Sequence, residues 1–261
     1  MTPQRELPAH ELRWTAPRRR DHLLVIPVIN EGERLHRLLG RIRALELDTL
    51  VDLCVVDGGS TDGSVAAQAL QPLGVHTLMV KTGAGRLSAQ LRCAYAHALD
   101  AGYAGAVTID GNDKDDPVAI PSFVAALREG VDFVQGSRFV DGGVAENTPL
   151  LRHLAIRGIH APLLRLASGF PWTDTTQGFR AYSRRLLDHP GLSLFRAVFD
   201  SYELLAHVSA RAPRLGLRCV ELPTARRYPP GEVPTKISAI RGNARVLKIL
   251  VAACLGAYDP R

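Results

Sequence analysis

The sequence predicts an α/β fold, a doubly wound and mostly parallel sheet flanked by helices, on three observations. Continuous apolar runs recur at 22–29, 51–56, 75–80 and 104–109 without the polar alternation of a half-solvated strand. Strands buried on both faces look like this. Between the runs lie segments with helical apolar spacing, joined by short links. Each run also ends in acidic or turn-forming residues, the pattern of strands that present ligand-binding loops at their carboxyl ends.

Residues 1–21, with Pro3, Pro8, Pro17 and the triplet Arg18-Arg19-Arg20, are expected to form a flexible basic arm. The strand at 22–29 ends at Asn30-Glu31-Gly32. A helix is expected over 33–44, where Leu35, Leu38, Leu39 and Ile42 share a face. The strand at 51–56 closes in Asp57-Gly58-Gly59-Ser60-Thr61-Asp62, and Thr61 or Asp62 can cap a helix over 64–70. After the strand at 75–80, the link Thr82-Gly83-Ala84-Gly85-Arg86 leads into a helix over 87–101. That link lacks the third glycine of a dinucleotide fingerprint and does not follow the first strand. The strand at 104–109 breaks into Asp110-Gly111-Asn112-Asp113-Lys114-Asp115-Asp116-Pro117, then a helix to about 128. Further strands are expected at 132–136, 179–182 and 217–223, and helices at 150–167, 200–211 and 236–256. Loops over 141–148 and 225–235 separate them. No repeat or second domain is visible, so 22–256 is expected to be one domain with a tail at 257–261.

Composition narrows the function. A hydrophobic content of 46% and a charged content of 22% suit a soluble globular chain long enough for a full core. The net charge of +6 favours an anionic partner: a nucleotide, a phosphate or a membrane surface. Nucleic acid is not expected, because aromatics make up only 6% and no basic patch is interleaved with them. Cys54, Cys93, Cys219 and Cys254 have neither metal nor redox spacing, which suits a reducing compartment. With no leader-like start and no apolar run of spanning length, the expected location is cytoplasmic, with the cytoplasmic membrane face as a peripheral site.

The chemistry-bearing residues stand at the strand ends. In a doubly wound sheet, Glu31, Asp57 and Asp110 share one edge. An isolated acid there is more often a cap or turn residue. Converging acids need a reason to share a site, and a metal ion or acceptance of hydrogen bonds from a base and a ribose would supply one. Oxygen ligands of this kind suit Mg2+ or Mn2+ holding a diphosphate.

The same residues carry a resemblance. Val25-Ile26-Pro27-Val28-Ile29-Asn30-Glu31, Val55-Val56-Asp57-Gly58-Gly59-Ser60-Thr61-Asp62-Gly63, Asp110-Gly111-Asn112, Gly136-Ser137-Arg138 and Thr176-Gln177-Gly178-Phe179-Arg180 resemble successive motifs of glycosyltransferase family 2. The likeness is to its dolichyl- or polyprenyl-phosphate mannose or glucose synthases, over about 22–250. It implies a GT-A nucleotide-diphospho-sugar transferase fold and inverting transfer. It also implies donor contacts at Pro27, Glu31, Asp57, Asp110, Gly111, Asn112, Arg138, Arg152 and Lys236, with Arg86 beside them. Asp110 and Asn112 stand where the family has Asp-x-Asp and would hold the metal. Asn112 departs from the pattern as an uncharged ligand that Asp113 or Asp115 would have to supplement, and Ile29 stands where an aromatic residue is common. Arg138 joins Asp110 and Asp174 as catalytic candidates.

An acceptor hydroxyl would require a general base, for which Asp174 and Glu203 are the candidates. An acceptor phosphate is already ionised, and Arg152, Arg226 and Arg227, with Gln177, would bind it. The resemblance to the synthases implies the second case, so the expected acceptor is a polyprenyl phosphate. The alternatives are a soluble small-molecule acceptor with the same donor, or a nucleotide-binding protein without catalysis. The helices at 150–167 and 237–254 carry apolar faces edged with Arg and Lys, suited to a membrane surface, a core or a homodimer.

Overall fold

The computed structural model describes residues 5–229 and 241–260. Its strands and helices, in chain order, are β1 (His10–Thr15), β2 (His22–Val28), α1 (Glu33–Ala44), β3 (Val51–Asp57), α2 (Ala67–Leu70), β4 (Val75–Lys81), α3 (Leu87–Asp100), β5 (Gly105–Thr108) and α4 (Ile120–Arg128). There follow β6 (Phe133–Ser137), β7 (Val144–Glu146), α5 (Leu150–Ala155), a π-helical turn (Ile156–His160), α6 (Ala161–Ser168), β8 (Arg180–Ser183) and α7 (Arg184–Leu187). The described chain ends with α8 (Glu203–Arg211), β9 (Cys219–Pro223), β10 (Ala225–Arg227) and α9 (Arg241–Cys254).

Eight strands form one sheet in the order β1-β4-β3-β2-β5-β8-β6-β9. β4, β3, β2 and β5 run parallel, as do β6 and β9, while β8 runs antiparallel between β5 and β6. Every residue of β2 and β3 is buried, which explains their largely apolar sequence. One core lies under α1 and α4, where Phe123 stacks on Phe179 at 4.5 Å. The other lies under α3, α6, α8 and α9, where Phe133 contacts both Trp172 and Tyr182. β7 and β10 form a separate parallel pair near the carboxyl edge of the main sheet.

The amino-terminal segment is not the flexible arm its composition suggests. β1 adds an antiparallel edge to β4, from His10 opposite Lys81 to Thr15 opposite Thr77. The basic triplet that follows is tied to the sheet. The backbone N–H groups of Arg19 and Arg20 donate to buried Asp52 at 2.8 and 3.1 Å, and the Tyr103 hydroxyl donates to the same oxygen at 3.0 Å. The tail is likewise held, since Asp259 pairs with Arg211.

Other departures have local causes. The helix expected over 64–70 shortens to Ala67–Leu70 because Asp62 accepts from the Ser64 N–H and hydroxyl and closes a turn instead. The helix at 150–167 widens into a π turn just ahead of Pro162, whose missing N–H cannot continue the α-helical ladder. The helix expected from 200 begins at Glu203, whose carboxylate accepts from the N–H groups of Asp200 and Ser201. The start expected near Lys236 lies outside the described residues. Asp52→Ala would orphan two backbone donors and a buried hydroxyl. It is expected to lower the unfolding free energy by about 2–4 kcal/mol in urea titration, and a change below about 0.5 kcal/mol would mean that Asp52 does not anchor the segment.

Candidate active site

β3, β2 and β5 are neighbours in the sheet, so their carboxyl ends open onto one edge. The first two ends are laced together. Gly58 N–H donates to the Val28 carbonyl at 2.8 Å, Asn30 N–H to Ser60 Oγ at 2.9 Å and Thr61 N–H to Asn30 Oδ1 at 2.8 Å. Asn30 sits at φ +50°, a left-handed conformation that Asn tolerates better than most residues. Asp57 is buried and accepts from the Ser60 N–H at 2.9 Å and the Ser60 hydroxyl at 2.6 Å. Pro27, buried at the end of β2, receives the Gly111 N–H on its carbonyl at 3.4 Å. Glu31 pairs with Arg34 at 2.9 Å.

The third end carries the charge. The Arg226 guanidinium lies 3.4 Å from Asp110 Oδ2 and also pairs with the fully buried Asp115 carboxylate. Burial pushes the Asp115 carboxyl up against the opposing pull of Arg226. For Arg226, burial works against the charged form, but Asp115 and Asp110 outweigh it and hold the guanidinium charged. Tyr228 gathers the surrounding cations: Arg152 donates to its hydroxyl at 2.8 Å, Arg226 at 3.4 Å, and Lys114 Nζ lies 5.1 Å from the ring centre. Burial raises the Tyr228 phenol, yet Arg226 and Arg152 outweigh this and leave it lowered. The Lys114 ammonium is lowered by burial and by Arg226 and Arg152 beside it. Gly178 leaves room for Asp110, because a Cβ there would overlap Asp110 Oδ1.

Arg138 and Asp174 form a buried two-pronged pair, with Nε to Oδ2 at 2.7 Å and Nη2 to Oδ1 at 3.1 Å. Burial alone would raise the Asp174 carboxyl, but Arg138 and the Thr176 N–H and hydroxyl outweigh it and hold it below the usual carboxylate range. Glu221 braces the same loop by accepting from the N–H groups of Thr173 and Asp174. Arg180 spans it underneath, donating to the carbonyls of Gln177, Thr175 and Leu205. Gln177 is buried and receives the Thr224 hydroxyl at 2.9 Å.

The strand ends thus bring Pro27, Glu31, Asp57, Asp110, Gly111 and Asn112 to one edge, joined by Arg152 and Arg226. Arg86 is exposed at the head of α3, where its N–H donates to the Asp200 carbonyl at 2.9 Å. Arg227 points the other way along β10 and pairs with Asp116 and Glu146. Asp174 and Glu203 are occupied by Arg138 and by backbone donors respectively. Lys236 lies outside the described residues. Sequence reasoning did not assign Lys114 or Tyr228 to the site, although Tyr228 follows the Arg226-Arg227 pair directly.

Among the described residues no group of three or more His, Cys, Asp or Glu side chains is arranged to hold a metal. Asp113 is paired with Arg37 and Arg41, and Asp115 with Arg226, so neither is free to supplement Asn112. Asp110 remains partly exposed, and Asn112 Oδ1 accepts the Lys114 N–H at 3.2 Å. One carboxylate and one amide oxygen fit an ion whose other ligands are diphosphate oxygens and water.

Comparison with known proteins identifies the family and the fold. Residues 23–190 match the model of glycosyl transferase family 2. The chain belongs to that family. An undecaprenyl-phosphate mannosyltransferase of Micrococcus luteus is 32% identical over 204 residues, 77% of this chain and 81% of that protein. A polyprenol monophosphomannose synthase of Mycolicibacterium smegmatis is 32% identical over 205 residues, 77% of this chain and 75% of that one. Among solved structures, glucosyl-3-phosphoglycerate synthase from Mycobacterium tuberculosis with Mn2+, UDP and glucosyl-3-phosphoglycerate superposes with a TM-score of 0.59. It shares 18% identity over 92% of this chain and 80% of that one. Mannosyl-3-phosphoglycerate synthase from Rubrobacter xylanophilus gives 0.60 at 16% identity, over 90% and 73% of the two chains. The glycosyltransferase therefore has the GT-A fold expected from its motifs.

Removing one partner of the Arg138–Asp174 pair leaves an uncompensated buried charge. Asp174→Ala is expected to lower the unfolding free energy of the transferase by about 3–5 kcal/mol near neutral pH. Because the folded carboxyl is depressed, its contribution is complete above the ordinary carboxylate range, about pH 4, and is lost as the pH falls through the lower folded value. Urea melts of wild type and variant should converge as the pH drops. A gap independent of pH would remove the ionic account.

Proposed function

We propose that this glycosyltransferase moves a sugar, with inversion, from a UDP- or GDP-linked donor to a polyprenyl phosphate. The observation that carries the acceptor assignment is the state of the two candidate bases. Asp174 is locked against Arg138, and Glu203 against the N–H groups of Asp200 and Ser201. A hydroxyl acceptor needs a base within reach of its proton, whereas a phosphate reaches the site already ionised. The cations on Tyr228 supply the complementary charge, and the named functions of the Micrococcus and Mycolicibacterium relatives support the same reading.

In this reading Asp57, Pro27 and Glu31 take the nucleoside, and Asp110 and Asn112 face the diphosphate. Mg2+ or Mn2+ held by those two residues would neutralise charge on the departing diphosphate. Arg226, Lys114 and Arg152 orient the acceptor phosphate for attack on the anomeric carbon. The new C–O bond forms as the bond to the nucleoside diphosphate breaks, and no proton has to move. Arg138 and Gln177, held by Asp174 and Thr224, line the floor beneath the sugar.

The acceptor's lipid implies contact with a bilayer. No described helix is long and apolar enough to cross a membrane. Peripheral contact is supported by Leu150, Leu151, Leu166 and Leu255, which are 74–86% exposed on α5, α6 and just beyond α9. Arg157, Arg165 and Lys248 lie among them, as on an interfacial helix. A homodimer through the same face is the competing use.

Asp110→Ala is expected to reduce transfer to polyprenyl phosphate by about a hundred- to a thousandfold, assayed with radiolabelled donor. Undiminished transfer would remove Asp110 from the mechanism. Replacing Leu150 and Leu151 with Glu should abolish flotation with anionic liposomes and leave the fold intact, since both side chains already face solvent. Unchanged flotation would exclude this face, and a loss of dimers instead would assign it to self-association.

A further inference from the structure

A cavity of about 510 Å³ lies beside Asp57. Asp57, Gly59 and Ser60 form one side of it, and Val80 of β4 adds to its apolar wall. The remaining side comes from β1, through Arg13 and Trp14. This strand precedes the segment matched by the family model, which begins at residue 23.

The two side chains reach the same cavity because of a break in register. Leu12 stands opposite Met79 and Trp14 opposite Leu78, so Arg13 is an extra residue between them. In a regular strand, consecutive side chains point to opposite faces. A bulge re-aims them, and here both line one cavity. The Trp14 indole is half-buried against the core, with its N–H directed to the Val75 carbonyl at 3.4 Å, so its position is set. Arg13 is 57% exposed and steadied by Glu11 at 2.9 Å, leaving further guanidinium donors for a ligand.

We propose that Arg13 and Trp14 complete the nucleobase end of the donor site and select a base with a ring N–H next to a carbonyl. The proposal rests on the nucleoside-diphosphate donor of the preceding section. Asp57 can only accept hydrogen bonds when ionised, so it takes the ring N–H. Arg13 can only donate, so it takes the carbonyl. Trp14 offers an aromatic wall to the base, an interaction open to any base and therefore a source of affinity more than of choice. Guanine and uracil present the N–H and carbonyl together. Adenine has neither at its ring edge, and cytosine lacks the ring N–H.

The test is calorimetric titration of the full-length wild type, Arg13→Gln and Trp14→Phe with GDP, UDP, ADP and inorganic pyrophosphate, each with Mn2+. Wild type should bind GDP or UDP more tightly than ADP. Arg13→Gln should weaken the preferred nucleotide roughly tenfold, with pyrophosphate unchanged. Trp14→Phe, which keeps an aromatic wall, should remove the quenching of tryptophan fluorescence by that nucleotide, because Trp172 is fully buried. The relative strength of GDP and UDP assigns the base. Arg13→Gln that binds the preferred nucleotide like wild type, or weakens pyrophosphate equally, overturns the proposal and leaves the donor reading standing. Wild type that binds pyrophosphate but no nucleoside diphosphate more tightly overturns both.

Discussion

The site depends on how the tip of β5 tolerates its own charge. Four carboxylates stand between residues 110 and 116, and one of them, Asp115, has no exposed side-chain surface. Arg226, more than a hundred residues later, supplies the counter-charge. Its neighbours fix the approach: Arg227 N–H donates to the Lys114 carbonyl at 2.8 Å and Asp116 N–H to the Ala225 carbonyl at 3.0 Å. A buried ion pair is seldom a net source of stability, because desolvation of both groups offsets their attraction. What the pair provides here is geometry. It sets β10 against the acid loop and leaves Asp110, only partly covered, as the carboxylate facing outward.

The second buried pair works in the same way on the other side of the site. Arg138 and Asp174 neutralise one another, and Glu221 and Arg180 hold the backbone of 173–177 between them. Arg152, Lys114 and Arg226 are the cations gathered near Asp110. Burial first, and then Arg226 and Arg152, lower the Lys114 ammonium below its ordinary value. The net charge of +6 is thus less informative than its local arrangement around Tyr228.

The sheet was legible because its strands are buried on both faces, which forces largely apolar sequence, and because the helices between them keep their apolar spacing. The acid tips were legible for the same reason, as polar residues stand out where such a run stops. β1 was not. It is an edge strand with one solvated side, and its polar residues among prolines carry no comparable signal. The roles of the acids also exceeded the sequence. Whether Asp174 is a free base or half of an ion pair depends on Arg138, on a different strand end. Arg226 and Arg227 are adjacent in sequence and identical in type. Only strand alternation, invisible before β10 was known to pair with β7, sends one into the site and the other to Glu146.

Helix α5 links the two halves of the proposed chemistry. Arg152 reaches Tyr228 in the cationic cluster, while Leu150, Leu151 and Leu154 on the same helix turn to solvent. Consecutive helical residues rise only about 1.5 Å, so the proposed bilayer contact and the proposed phosphate contact lie within one turn of each other. A lipid phosphate is confined to the boundary between water and hydrocarbon, and an enzyme that uses one must bring its reacting centre to that boundary. A soluble acceptor imposes no such constraint and gives no reason for large apolar side chains to be exposed beside Arg152. Beyond the π turn that follows α5, α6 packs on α8 and α9.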